Sequence, residues 1–387
     1  MRVGIIGAGA SGILCAIELK KKYGDKLIVD LFEQEEKVGK KILQTGNGKC
    51  NFTNLHLKEN YYNNPSFVKP LFEKYGLLQI LSSLTSLGIV SKSDDEGRYY
   101  PYSESAASFL EILKHHLDVL GVNIYTNTKI TSIEEKNGFY LLNNQYQLDK
   151  IVISIGGKAR VKEYDNGFLY NLGLQMIPDH PGLVSVKVQE KFLKPISGVR
   201  IKVNAKVLND NKVVYQNEGE VLFKDDSLSG IVIFSCSRFV KEKSVIELDL
   251  VNGKSEENLL SWMQLLEKNI LVKEALLSLF PRQLASVLAK EMKLDNVEIK
   301  DLSEKARKEL ICKLKHFTFK VKSLNDYNNA QIMCGGIDVN QLNEKLQIKT
   351  HPSIYVAGEV LDIDGECGGF NLSFAWASAL CVADNII

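Results

Sequence analysis

The first thirty residues alternate between apolar runs and a cluster of small residues. Residues 2–6 (RVGII) form a short apolar run, and Gly7-Ala8-Gly9-Ala10-Ser11-Gly12 follows directly. Apolar positions then repeat at helical spacing, with Ile13, Ala16 and Ile17 on one face. The pattern predicts a buried strand and then a helix to about Tyr23. Lys20, Lys21 and Lys22 fall in the last turn of that helix, where the dipole favours cations. Residues 27–32 (LIVDLF) predict a second strand, ended by Glu33, so the chain opens on one strand–helix–strand unit.

Residues 68–88 and 104–120 carry helical periods. Residues 122–148 alternate as strands with a turn at Asn137-Gly138, and residues 150–155 (KIVISI) predict a buried strand ended by Gly156-Gly157. The middle changes character. From about 183 to 251 the runs are β-rich and separated by turn residues such as Asn209-Asp210-Asn211. Helical periods return at 257–270, 273–292 and 303–316. The end is α/β again, with a strand at 353–357 (SIYVA), a Gly- and Asp-rich loop at 358–369, and a helix of small residues at 370–386. This order predicts one α/β domain, split in sequence, with β and α material inserted in it.

Composition adds mostly exclusions. At 387 residues, two or three domains are expected, and 45% hydrophobic with 25% charged residues is ordinary for a globular protein. A net charge of +1 gives no field that points to nucleic acid or to an anionic membrane. The seven cysteines include no CxxC pair, which fits a reducing compartment, and the six histidines form no zinc pattern. Cys312 and His316 share a helix face, but two ligands do not make a metal site, and none is expected. Arg2 before an apolar run imitates a signal peptide, yet Glu18 interrupts the run, lysines follow it and no small-residue cleavage site appears. No stretch reaches the roughly 18 apolar residues of a spanning helix. A cytoplasmic protein without membrane partners is the default expectation.

The glycine cluster carries the first chemistry. Gly7 permits a tight strand-to-helix turn, Gly9 lets a pyrophosphate approach the backbone, and Gly12 lets the helix pack close to the strand. Free amides of the first turn, those of Ala8, Ala10 and Ser11 among them, with roughly +0.5 charge from the dipole, then face the phosphates. Glu33 stands twenty-one residues after Gly12, with Gln34 beside it, placed to accept from adenosine ribose hydroxyls. Three further glycine-rich loops favour FAD over NAD: Gly46-Asn47-Gly48-Lys49-Cys50-Asn51, Ile155-Gly156-Gly157, and Gly358-Glu359 through Gly368-Gly369-Phe370-Asn371. A flavin is longer than the ADP half and needs polar backbone at its ribityl and pyrimidine ends. Gly368-Gly369 before a helix offers donors to the N1/O2 edge, where negative charge builds on reduction, and Glu359 is suited to ribityl hydroxyls.

The run Gly39-Lys40-Lys41-Ile42-Leu43-Gln44-Thr45-Gly46-Asn47-Gly48-Lys49-Cys50-Asn51-Phe52-Thr53-Asn54 resembles the second motif of the aminoacetone oxidase-like (BaiN/YhiN-like) bacterial flavoproteins. Gly358-Glu359-Val360-Leu361-Asp362-Ile363-Asp364-Gly365 with Gly368-Gly369-Phe370-Asn371-Leu372 is similar to that family's C-terminal motif, and the similarity spans nearly the whole chain. The resemblance implies a glutathione-reductase-like FAD-binding Rossmann domain (1–188 and 335–387), a β-barrel insert (189–253 and 319–334) and a helical subdomain (254–318). It implies Gly7–Gly12 on the pyrophosphate, Glu33 on the ribose, and Ile130, in a strand after Thr128-Lys129, as backbone for adenine. Lys41 and the 46–51 loop would lie along the cofactor, and Glu359 with residues 369–372, Leu372 included, would line the ribityl and isoalloxazine. The chain also departs from the family pattern. Lys40 and Lys49 stand where arginine is usual, Lys224-Asp225-Asp226 replaces a Thr-His pair, and Cys367 stands in place of threonine.

These readings predict hydride transfer between flavin N5 and a small-molecule substrate, with NAD(P)H as a transient reductant. No catalytic acid or base is evident. Lys49, Cys50, Asp362, Asp364 and Glu366 lie near the flavin motifs, and Cys50 with Cys367 is a candidate redox pair. Two alternatives stay open: a flavin-bound module without turnover, and modification of RNA. Against the latter stands the balanced charge, and a basic patch around 187–202 is where an RNA footprint would lie.

Overall fold

After Arg2 the first five-residue run holds no polar side chain. It forms a strand, Arg2–Ile6, buried from Val3 onward at the centre of a six-stranded sheet. The computed structural model describes residues 1–387. The sheet runs in the order Gln347–Ile348, His351–Val356, Lys150–Ile153, Arg2–Ile6, Ile28–Phe32, Asn123–Tyr125. Five of these strands are parallel, with Ile5 beside both Val152 and Leu31, and only the Gln347–Ile348 edge is antiparallel. Strands covered on both faces read as continuous apolar runs, which is how the segments at 2–6, 27–32 and 150–155 stand out.

The first helix, Ala10–Tyr23, packs against the last, Phe370–Asn385. The last helix buries twelve of its sixteen residues, Trp376 and Phe374 among them, so its small side chains serve close helix packing. The contacts divide the chain into two units: Met1–His180 with Ile332–Ile387, and Pro181–Gln331.

In the second unit six strands close a barrel in the order Val186–Val188, Ser227–Ser229, Lys212–Phe223, Arg200–Asn209, Val245–Asp249, Phe317–Leu324. Inward residues such as Val203, Ala205, Val207 and Phe319 are fully buried. Leu259, Leu284, Leu288 and Leu310, on the helices of residues 256–315, join the same buried cluster. No helix of the chain is long and apolar enough to cross a membrane.

Three elements differ from the periodic reading. The helix expected at 273–292 is two, Val272–Ala275 and Arg282–Glu291, because Pro281 lacks the N–H that would continue it. The helix expected at 68–88 breaks at Gly76, where a Cβ would lie 2.4 Å from Phe72 O. A helix at Ile231–Ser237 interrupts the β-rich stretch; its residues are mostly buried, so no polar face marked its period.

Candidate functional site

Each glycine of the first motif meets a different surrounding. Gly7 has φ +99°, and a Cβ there would lie 2.5 Å from Ser154 O. A Cβ on Gly12 would lie 2.0 Å from Gly7 O, so the helix touches the turn that precedes it. Around Gly9 the opposite holds: nothing lies within 4 Å of its Cβ position. Gly9 caps the Ala10–Tyr23 helix without a side-chain hydrogen bond, and no acid occupies the first turn. The positive end of that helix dipole therefore opens onto accessible backbone.

Glu33 folds back on this turn. Its Oε2 accepts from Ala8 N–H at 3.0 Å and its Oε1 from Glu35 N–H at 2.9 Å. Burial raises its pKa, while the main-chain donors act in the other direction. A carboxylate has about four acceptor sites, so capacity remains for a hydroxyl. Gln34 donates to Glu163 O at 3.1 Å. Ile130 is buried, in irregular backbone between the strands Asn123–Tyr125 and Ile133–Lys136 rather than in a strand. Asn143 bonds the carbonyl of Lys129 and the amide of Thr131 on either side of it, which holds the segment without a ladder.

The second motif docks on the first through Gly39 N–H to Ala8 O at 2.8 Å. Lys41 Nζ lies 2.7 Å from Glu359 Oε2. Gly48 ends a turn, Ile42–Gly48, that is kinked at Thr45, Gly46 and Asn47. Lys49 is exposed and pairs with Glu104, which Lys92 also reaches, and the two ammonium groups hold that carboxyl down to about 2. Asn51 is buried. With its carboxamide turned to match its neighbours, it donates to Thr53 O at 3.0 Å and accepts from Gly369 N–H at 3.2 Å.

Tail segments complete the assembly. Gly358 lies against Ser11 of the first motif: a Cβ on Gly358 would sit 2.4 Å from Ser11 Oγ. The Glu359 carboxylate takes Lys41 on one oxygen and Met333 N–H, at 2.8 Å, on the other, and it borders Gly156 and Gly157. Tyr164 donates to Gly156 O at 3.1 Å. Gly369 caps the last helix at φ +96°, again without a side-chain cap. Phe370 is buried and stacks on Tyr61 with centroids 4.5 Å apart, while Leu372 packs on the core. Asn371 is spent on its own loop, accepting from Gly365 N–H and donating to Gly365 O and Glu366 O.

Thus the structure joins Ser11 to Gly358, Lys41 to Glu359, Glu359 to Gly156 and Gly157, and Asn51 to Gly369, all in one unit. Sequence reasoning missed Thr53, Asn54, Tyr61, Tyr62, Asn63 and Met333, which hold these turns. Asn54 donates to Gly368 O, and Tyr62 Oη donates to Phe370 O at 2.6 Å. The only local signal was Thr53-Asn54 at the end of the long motif.

The candidate acids and nucleophiles separate by environment. Burial pushes the Cys50 thiol up to about 12 and the Cys367 thiol up to about 11, and all seven cysteines are free. Neither thiol is a ready thiolate at neutral pH. Asp364 is buried, whereas Glu366 is half-buried in the loop. Asp362 is raised to about 6 by burial and by the charges of Asp364 and Asp338, against hydrogen bonds from Asn63 and from Gly335 N–H.

Among known proteins, a family model described as the HI0933-like protein Rossmann domain matches residues 1–385. A 3-dehydro-bile acid delta(4,6)-reductase of Clostridium scindens is 30% identical over an alignment covering 97% of both chains. Ribosomal RNA dihydrouridine synthases of Haemophilus influenzae and Escherichia coli are 29% and 26% identical, each aligned over 99% of this chain and 97% of its own.

Proposed function

Because the chain belongs to the HI0933-like family, we propose that it is an FAD-dependent oxidoreductase that reduces a carbon–carbon double bond conjugated to a carbonyl group. One observation carries the reading: two glycine turns that open helices without a side-chain cap, Gly9 at the head and Gly369 at the tail, lie in one unit, with Ser11 against Gly358, Lys41 on Glu359 and Asn51 on Gly369. A single extended dinucleotide explains why two such turns are brought together. The open backbone at Gly9 fits a pyrophosphate, which a side chain there would displace.

In this reading the amides of Gly7, Ala8, Gly9, Ala10, Ser11 and Gly12 take the pyrophosphate, Glu33 and Gln34 the adenosine ribose, and the Ile130 backbone the adenine. Lys41, Gly48, Lys49, Cys50 and Asn51 border the middle of the cofactor. Gly156, Gly157, Gly358 and Glu359 border the ribityl chain, and Gly369, Phe370, Asn371 and Leu372 border the isoalloxazine. When bound, FAD supplies hydride at N5, with reduced nicotinamide dinucleotide as the proposed reductant. The protein's part is to fix that group, to place positive dipole at its pyrimidine edge, and to exclude water.

The substrate class follows from chemistry that two relatives' names share. Delta(4,6) double bonds beside a 3-oxo group, and the double bond saturated in dihydrouridine, are both conjugated to a carbonyl that accepts charge when hydride adds. The near-neutral total charge favours a small molecule. A second reading, uridine within RNA, is favoured by the exposed barrel lysines Lys202, Lys320 and Lys322, which carry no ion pair while Arg200 and Lys206 are matched by Glu220 and Glu247.

The test is spectroscopic. The purified chain should carry, or take up, one FAD, and NADH or NADPH should bleach it anaerobically. A 3-oxo-4,6-diene steroid acid or a uridine-containing RNA is then added, and whichever restores the oxidised spectrum identifies the class. A protein that takes up no FAD on reconstitution rejects the proposal.

A further inference from the structure

The turn at Gly368-Gly369 has no regular structure before it and no side-chain cap after it. A strap formed by residues 59–64 holds the loop that leads into it. Glu366 N–H donates to Tyr61 O at 3.0 Å, and Tyr61 stacks on Phe370. Tyr62 is 4% exposed and donates its hydroxyl to Phe370 O. Asn63 does most of the joining. Its N–H donates to Asp364 O at 3.0 Å, and its Oδ1 accepts from Asp364 N–H at 3.0 Å. Its Nδ2 reaches both Asp362 O and Asp362 Oδ1 at 3.2 Å. Asn63 is an exposed residue. A surface asparagine ordinarily gives its carboxamide to water, yet here both ends are used on one loop.

We propose that Asn63 is a positioning residue: it fixes the Asp362–Gly369 loop so that the Gly369 turn faces the flavin's pyrimidine edge with the Asp362 carboxyl held in a set place beside it. This rests on the FAD reading given above. The charged groups that face Asp362 are Asp364 and Asp338, both negative, and its hydrogen-bond donors are Asn63 Nδ2 and Gly335 N–H. Removing the Asn63 donor therefore leaves a carboxyl already raised to about 6 with less to stabilise its charged form, and its titration moves upward. A charge that appears on this loop changes the energy of negative charge on the neighbouring cofactor, so the flavin reports it. A residue that merely stiffened the loop would, once removed, expose the carboxyl and move that titration downward, the opposite direction.

The experiment uses FAD-loaded full-length protein, titrated from about pH 4.5 to pH 8 while the flavin spectrum and midpoint potential are recorded. The wild type should show an inflection at about 6. Asn63→Ala should shift it upward, and Asn63→Asp, which adds a third carboxylate, should shift it further, by about one pH unit or more. Asn63→Gln, which keeps the amide, should fall nearest the wild type, and Asp362→Asn should abolish the inflection. FAD-loaded Asn63→Ala and Asn63→Asp proteins that titrate like the wild type or below it overturn the positioning role, as does an inflection that survives Asp362→Asn. A wild-type protein that takes up no FAD overturns the cofactor reading, and this inference with it.

Discussion

Two helix starts in the first unit look alike and are built differently. Gly9 opens Ala10–Tyr23 and Gly369 opens Phe370–Asn385, both without a side-chain cap. The first is set within a short motif and by the strands beside it: Gly12 sits on Gly7 O, Glu33, one strand away, bonds Ala8 N–H, and Ser154, at the end of the other neighbouring strand, donates to Gly7 O. The second is held by residues about three hundred positions upstream, Asn51, Asn54, Tyr62 and Asn63. The same electrostatic device, a positive helix end on bare backbone, can therefore come from a short motif or from an assembled frame.

The sharpest way to break the contrast is Gly12→Val. Its Cβ would meet Gly7 O at 2.0 Å and Ser154 Oγ at 2.7 Å, so backbone must move, at a cost of about 1–3 kcal/mol or more. Purified protein should be colourless, with Tm lowered by several degrees. A yellow protein of unchanged Tm would show that the first start does not depend on close packing. Gly369→Ala comes next. It forces a side chain into φ +96°, with Thr53 O only 2.6 Å from the Cβ, and strain of about 1–3 kcal/mol is expected. Because the frame around it is separate from the sheet, the flavin spectrum and potential should change more than Tm.

Tyr62→Phe removes one buried hydroxyl from Phe370 O and should cost about 1 kcal/mol, read as a shifted denaturation midpoint. An unchanged midpoint would mean that the assembled start holds without its strap. Asp362→Asn tests pH dependence. The folded carboxyl is raised from 3.8 to about 6, so the native state binds the proton more tightly than the unfolded chain. Wild-type stability should therefore fall as pH rises through that window, and the asparagine variant's Tm advantage should be larger at pH 8 than at pH 4.5. Equal advantages at both would remove Asp362 as the titrating group. The smallest effect belongs to Lys49→Ala. Lys49 is exposed and Glu104 keeps Lys92, so the flavin reduction rate and Tm should match the wild type. A large loss of rate would return Lys49 to the chemistry.

Legibility follows the same division. Residues 2–33 were readable because strand, turn and helix each carry a local period and the glycines have fixed spacing. The C-terminal turn was readable as a motif, but not its supports. Tyr62 and Phe370 are 308 residues apart, and no pattern within a window links them. The family resemblance implies a strand at Ile130, yet its segment is held by one asparagine rather than a ladder. The break at Gly76 is a packing fact, a missing Cβ beside Phe72 O, which periodicity does not register.

By itself the sequence determined the elements whose causes are local: the buried apolar strands, the glycine turn, the carboxylate at the end of the second strand and the β-rich run of the middle. Only the tertiary structure decided that Lys41 finds Glu359, that Asn51 meets Gly369, and that Asn63 ties down the loop of Asp362. The physical reason is range. Backbone preferences and amphipathic periods act over a few residues, whereas a hydrogen bond acts across about 3 Å of space, however much chain lies between its partners.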